Sequence, residues 1–404
     1  MKPAEIPFPD ARASHLEERR NLKMARSAHA YVRGNTVRFY EWLETSSAKR
    51  LPIGPPVWIC GDCHLGNLGP VGNVEGDVEI AIRDLDQTVI GNPTHDLIRL
   101  GLSLATAARG SDLPGVTTAR IIEALMEGYE LALDVNVDDE AQPVPPPEVV
   151  KFTMKQALGR KWKNLANERM AESDGAVLRG SKFWPLSKDE RREIKALVQD
   201  EAVRQLITRL GSRRDDASVR VIDAAYWIKG CSSLGRLRYS VLLSVEDKPG
   251  ELEFCLVDIK EALRAAAPRA RSVNMPKDNA RRVVTGAVNL SPHLGERMLA
   301  ARFLDTPVVL RELLPQDLKL EIEKLTPAEA RKSARYLAWV VGKAHARQMN
   351  EATRKSWMAE LTRNRSATLD APTWLWRSVV ELVASHEAGY LDHCRLYALS
   401  NKAA

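Results

Sequence analysis

The sequence predicts an α+β chain in which an antiparallel β segment lies between two mostly helical stretches. Three observations carry that expectation. Apolar residues recur at helical spacing through the first and last parts of the chain. Between about Ser218 and Leu313 the texture changes to short β-branched and apolar runs, broken by Gly230, Gly235 and the turn Asp247-Lys-Pro-Gly250. Near the start, two short apolar runs each lead polar residues into a turn, as Val57-Trp-Ile-Cys-Gly-Asp62 and Val78-Glu-Ile-Ala-Ile-Arg-Asp84.

The bulk numbers set the class. The chain has 404 residues, 44% apolar and 28% charged, which is ordinary for a globular protein with room for two or three cores. A net charge of +6 suits an anionic ligand and is too weak to argue for nucleic acid. Five cysteines describe no disulfide framework. The stretch Met1-Lys-Pro-Ala-Glu-Ile-Pro7 lacks a signal peptide's apolar core, and no run is long enough to span a bilayer. The expectation is a cytoplasmic protein without a membrane partner; the oligomeric state is left open.

In order, Ala11 to Glu44 reads as helical with a break at Arg33-Gly34, and Pro52 to Pro56 as a stiff connector. Asp96 to Ala108 is apolar around most of a helix and should be buried, and an amphipathic helix follows Pro114. Val135 to Pro147 reads as a surface linker, and Lys151 to Arg169 as one basic amphipathic helix. Ser187-Lys-Asp-Glu190 is a capping box opening a helix to about Leu210. Strands are expected at Ala225–Lys229, Leu237–Val245 and Leu252–Lys260, then a helix over Lys277–Leu290 and strands at Arg297–Phe303 and Val308–Leu313. Pro315-Gln-Asp317 reads as a hinge. A second capping box, Thr326-Pro-Ala-Glu329, opens a long buried helix to about Met349, and a last helix runs from about Thr373 to Leu399. No internal repeat is visible. The expected division is 1–215, 216–317 and 318–404: a helical part, a β part and returning helices.

Asp62, Asn67 and Asp84 are spaced as one site needs to hold a metal and activate a hydroxyl, on loops set by buried strands. Gly230-Cys-Ser-Ser-Leu-Gly235 joins two expected strands, where backbone amides can cover phosphates, and Lys260 closes the third strand as a point charge. Cys60-Gly-Asp-Cys-His64 also spells a haem-attachment pattern, disfavoured because it starts inside an apolar strand.

Taken together these segments resemble protein-kinase-like phosphotransferases. Cys60-Gly-Asp-Cys-His-Leu-Gly-Asn67 resembles the catalytic loop of aminoglycoside and choline phosphotransferases, Ile82-Arg-Asp-Leu-Asp86 their metal motif, and Gly91-Asn-Pro-Thr-His-Asp-Leu-Ile-Arg99 the segment after it. The whole chain is also similar to a bacterial family known as domain of unknown function 2252. The glycine turn comes after the catalytic loop, whereas kinases place it before, so the resemblance implies a circularly permuted two-lobed fold. It implies an ATP- and Mg²⁺-dependent phosphotransferase acting on a hydroxyl of a small molecule or protein. Asp62 would receive or orient the hydroxyl proton, and Asn67 and Asp84, with Asp86 as a further candidate, would hold the metal. Lys260 and the turn Gly230, Ser232, Ser233 and Gly235 would hold nucleotide phosphates, with His64 and Asp96 bracing the loop. Cys60 and Ser232 depart from the pattern, and the helix at 277–290 offers Lys260 no glutamate. The same residues therefore leave room for a pseudokinase-like regulatory module, or for AMP transfer.

Overall fold

In the computed structural model, the described residues are 9–45, 51–134, 143–169, 182–209, 213–231, 233–248, 250–271, 273–320, 326–363 and 370–399. Helices α1 (Arg12–Met24), α2 (Ala28–Gly34) and α3 (Thr36–Leu43) precede strands β1 (Val57–Ile59), β2 (Leu68–Gly72), β3 (Val78–Ile82) and β4 (Val89–Gly91). Then come α4 (Thr94–Gly110), α5 (Gly115–Leu133), α6 (Glu148–Gly159) and α7 (Trp162–Arg169). Strand β5 (Phe183–Trp184) leads to α8 (Lys188–Val198) and α9 (Glu201–Thr208). The β segment holds β6 (Ser218–Trp227), β7 (Arg238–Lys248), β8 (Glu251–Glu261), α10 (Asn279–Leu290), α11 (Pro292–Gly295), β9 (Met298–Phe303) and β10 (Thr306–Glu312). Helices α12 (Pro327–Ala346), α13 (Glu351–Thr362) and α14 (Thr373–Cys394) close it. The architecture is mixed α+β with antiparallel sheets. Among the described residues no helix is long and apolar enough to cross a membrane.

A six-stranded antiparallel sheet runs in the order β5-β6-β7-β8-β10-β9. Strand periodicity divides its faces. Tyr239, Val241 and Leu243 of β7, Val257 and Ile259 of β8, and Val308 and Leu310 of β10 share a core with Ile194, Val198, Val203 and Ile207 of α8 and α9. The intervening residues point the other way. Cross-strand register sets Arg238 opposite Lys260, Lys260 opposite Val309 and Asp258 opposite Arg311, so three cations and one acid line one patch of that second face.

The larger core is helical, built from α4, α5, α12 and α14 with β1, β3 and α10 packed against it. Helices α5 and α12 touch at glycine. A Cβ on Gly128 would lie 1.9 Å from the Arg335 carbonyl oxygen, and one on Gly342 would lie 2.6 Å from the Ala132 methyl. Because the first clash is with backbone, Gly128→Ala is expected to cost about 3 kcal/mol or more, at the high end of overpacking. Urea unfolding of the variant measures it, and a loss under about 1 kcal/mol would contradict this packing.

Several boundaries differ from expectation. The helix expected over Lys151–Arg169 is two, because Arg160 leaves the helix to donate to the Pro315 carbonyl at 2.7 Å. The helix expected to reach Leu210 stops at Val198 and restarts behind the Asp200 cap. Both capping boxes form. Residues 184–207 pack on the sheet and not with the helical core. The linker expected at Val135 to Pro147 lies partly outside the described residues, as residues 135–142 do.

Candidate functional site

Strand β1 is three buried apolar residues, and the turn after it is held on every side. Asp96, in the first turn of α4, accepts the backbone N–H of Cys60 at 2.7 Å and of Gly61 at 2.9 Å. Tyr40 donates its hydroxyl to the Gly61 carbonyl. Gly61 has φ +73°, and a Cβ there would lie 2.2 Å from the Gln87 carbonyl oxygen, so the turn requires glycine. Behind Asp96 runs a buried relay. Trp357 donates to the Tyr129 hydroxyl at 3.3 Å, which meets His345 Nδ1 at 3.0 Å, while His345 Nε2 lies 3.2 Å from Asp96. The Trp357 N–H is necessarily the donor at the outer end of this relay.

This scaffold presents Asp62. Its Oδ1 accepts from Arg99 Nε at 2.9 Å, and Arg99 itself is fully buried. Burial pushes the Asp62 carboxyl up, while Arg99 pulls against it. His64 Nε2 is 3.9 Å from Asp62 Oδ2, beyond hydrogen-bond range, and His64 Nδ1 is buried without a partner among the described residues. The His64 carbonyl accepts from Asn67 N at 2.8 Å within the loop, and the Asp96 relay, Tyr40 and Ser103 (which accepts from Leu65 N at 3.1 Å) also hold it. Burial, with Arg33 and Arg99 nearby, holds His64 neutral well below the usual imidazole range.

Asn67 ties the two loops together. Its Nδ2 donates to the Asp62 carbonyl at 3.0 Å and to the Asp84 carbonyl at 3.2 Å, which turns Oδ1 to the other side of the amide. Lys260 Nζ reaches both downstream acids, 3.2 Å from Asp84 Oδ1 and 2.5 Å from Asp86 Oδ2. Burial pushes Asp84 up, but Lys260, Arg238 and Arg311 win and hold its carboxyl well below the usual carboxylate range. Asp86 moves the other way, raised by burial and by Asp84. Asp258, gripped by Arg238 at 2.9 and 2.5 Å, is also held low against its burial. Depressed carboxylates contribute stability above the ordinary value near 3.9, lost as pH falls through the folded one. Unfolding followed against pH should therefore show a steep loss of stability below about pH 4, reduced in Asp258→Asn.

The glycine turn meets the same cleft. A cavity of about 100 Å³ is lined by Asp62, His64, Asn67 and Asp84 on one side and by Lys229, Gly230, Cys231 and Ser233 on the other. Gly230, with φ +92°, allows the chain to turn there, and Ser233 spends its hydroxyl on the Lys229 carbonyl at 3.0 Å. Gly235 is not in the cleft. A Cβ on Gly235, which has φ +91°, would lie 3.3 Å from the Ala13 carbonyl oxygen of α1. Ser232 lies outside the described residues. Glu261 is on the opposite face from Lys260 and accepts from Leu237 N at 2.9 Å, closing the turn's far end.

Sequence reading missed Arg99, Arg33, Lys319 and the Arg238–Asp258–Arg311 patch. Arg99 left a signal: it is a charge inside α4, between Asp96 in the first turn and Arg109 in the last, on a helix otherwise mostly apolar, which predicts a buried partner. Lys319 left none. Burial, then Arg33, Arg83 and Lys23, pull its amine down to about 8.

Among the described residues no cluster of three or more His, Cys, Asp or Glu side chains is poised to hold a metal. Cys60 and Cys63 are buried, with both thiols pushed up, and make no metal site. A magnesium ion asks for less, since it binds through one or two carboxylates and the substrate's own phosphates. Asp84, its side chain 46% exposed, and Oδ1 of Asn67 offer hard oxygens of that kind.

The chain matches, over residues 12–396, the family described as an uncharacterized protein conserved in bacteria (DUF2252), and it belongs to that family. Comparison with curated proteins and with solved structures returns no match.

Proposed function

We propose that this protein is an ATP- and Mg²⁺-dependent phosphotransferase acting on a hydroxyl, with a kinase-like two-lobed arrangement in circularly permuted order. One observation carries the reading. Asp62, Asn67 and Asp84 from the first quarter of the chain share one cleft with the Gly230 turn from the third quarter, and Lys260, also from the third quarter, reaches Asp84 from the adjoining cavity. The order of elements supports it: glycine turn between two strands, a third strand ending in Lys260, a helix, two strands, and a turn leading back to helices.

In this reading Asp62 Oδ2, left unbound by Arg99, receives the acceptor's proton as its oxygen bonds to the γ-phosphorus. The bond from that phosphorus to the β-bridging oxygen breaks, and ADP leaves. Lys260 and the backbone at Gly230 hold the phosphate chain in line, and such positioning and charge neutralisation make up most of this chemistry. Mg²⁺, held by Asp84 and Asn67 with Asp86 as a further oxygen, would supply neutralisation of the phosphate charge. Lys260, now shared between Asp84 and Asp86, must trade part of that pairing for phosphate.

Among the described residues Lys260 has no partner on α10, and that observation favours a second reading, a nucleotide-binding regulatory module without transfer. A third is AMP transfer from the same site. Incubation with Mg²⁺ and ATP labelled at the γ or α position separates them. Transfer of γ label, lost in Lys260→Ala, is expected. Transfer of α label alone would replace the reading with AMP transfer, and thermal stabilisation by ATP without any transfer would replace it with the regulatory module.

A further inference from the structure

Resting on the phosphotransferase reading, we infer that the donor is recognised through its linear triphosphate, which runs from the Lys260–Asp84 pair into a cationic basin beside the glycine turn, and not through a nucleobase. Two sets of observations point there.

The first is the small size of the cavity that Lys260 itself lines. The cavity behind Asp84, Asp86 and Lys260 holds about 40 Å³. Cofactor pockets are typically about 300–1,000 Å³ and mostly apolar. This one is walled by Arg238, Asp258 and Arg311, paired to one another across adjacent strands, with Arg311 Nε 3.6 Å from Asp258 Oδ2. Opening it would strip charges from a buried network, which is costly. Nor does Trp227 offer a stacking face: it is 1% exposed, stacked on Phe183 at 6.2 Å, and covered by Lys229 and Arg238 at 3.9 and 5.0 Å.

The second is where room does exist. A basin of about 620 Å³ opens from the catalytic cleft, sharing Arg83, Lys229, Gly230 and Lys319 with it. Arg19, Lys23, Arg26 and Lys182 add to its wall. Lys23 reaches across from α1 to donate to the Gly230 carbonyl at 2.7 Å, so α1 forms one side of it. The two acids on the wall are already engaged, Glu168 by Arg160 at 2.6 Å and Asp317 by Arg297 at 2.9 Å. Burial first, and then Arg33, Arg83 and Lys23, hold the Lys319 amine down to about 8, and an anion relieves the part due to those cations. A compact polyanion fits a concave basin of this size, whereas a nucleic acid would need an extended basic face that a net charge of +6 does not supply.

Isothermal titration of the full chain with Mg²⁺ and, in turn, sodium tripolyphosphate, ATP, GTP and CTP tests the inference. All four should bind within about threefold of one another, since a contact to a base would be worth a larger factor. Each should weaken at least about tenfold in Arg19→Ala/Arg26→Ala/Lys182→Ala, whose three residues are exposed and remote from the folding core. In the unaltered chain all four affinities should fall in parallel as NaCl rises, which keeps the test independent of any variant. ATP binding more than about tenfold tighter than the other three would overturn base-independent recognition and leave the phosphotransferase reading standing. Equal binding in the triple variant, or salt-insensitive binding, would overturn the basin. Tight, parallel binding of all four with no transfer of label would support the basin and sink the phosphotransferase. No binding of any of the four would overturn both.

Discussion

Asp62→Asn is expected to lower phosphoryl transfer by about 10²–10⁴-fold, the usual contribution of a positioned general base, with Mg·nucleotide affinity nearly unchanged. The substitution keeps the shape of the side chain and an oxygen for Arg99 Nε, which now sits 2.9 Å from Oδ1. It removes the carboxylate that can take a proton. The nucleotide contacts assigned to Lys260, Asp84 and the Gly230 turn are untouched, so the loss should fall on kcat and not on KM. Because Asn leaves the buried Arg99 charge less well compensated, some stability is lost too, and turnover should be compared at a temperature where both proteins are folded. Transfer at the unaltered rate would remove Asp62 from the chemistry.

Asp96→Ala should produce the largest loss of stability of any single change near the site, about 3–5 kcal/mol. It strands the buried N–H groups of Cys60 and Gly61, each worth about 1–3 kcal/mol unsatisfied, and cuts the relay through His345. Asp96→Asn, which keeps one acceptor oxygen, should lose less. Denaturant melts compare the two. The loss should be accompanied by lost turnover even in protein that remains folded, because the turn that aims Asp62 is hung on this carboxylate. A variant with full stability would show that Asp96 does not hold the loop.

The sequence made much of this visible because its signals are local. Capping boxes at Ser187 and Thr326 depend on residues three apart, and both form. Consecutive residues of a strand face opposite ways, and Lys260 and Glu261 do so here. What stayed hidden depends on tertiary contact. Strand β2 carries glycine and proline and, among the described residues, pairs in a ladder with β3, so propensity spoke against it. Helix α13 buries only Trp357 and Leu361 and shows no apolar stripe. The break at Arg160 exists because the side chain finds the Pro315 carbonyl, a partner 155 residues away. The charged patch Arg238–Asp258–Arg311 needed the strand register, and Lys319 needed the cleft itself. Asp86, a further metal candidate from sequence, has a 22% exposed side chain paired with Lys260.

The central claim is that phosphates sit between the acids of the first quarter of the chain and the lysine of the third. A crystal structure of the protein with Mg²⁺ and a non-hydrolysable ATP analogue tests it most directly. Density for the β- and γ-phosphates is expected between Lys260 and Asp84, with a metal ion on Asp84 and Asn67 Oδ1. Density for the analogue elsewhere, with the Lys260 pairing to Asp84 and Asp86 intact, would contradict it.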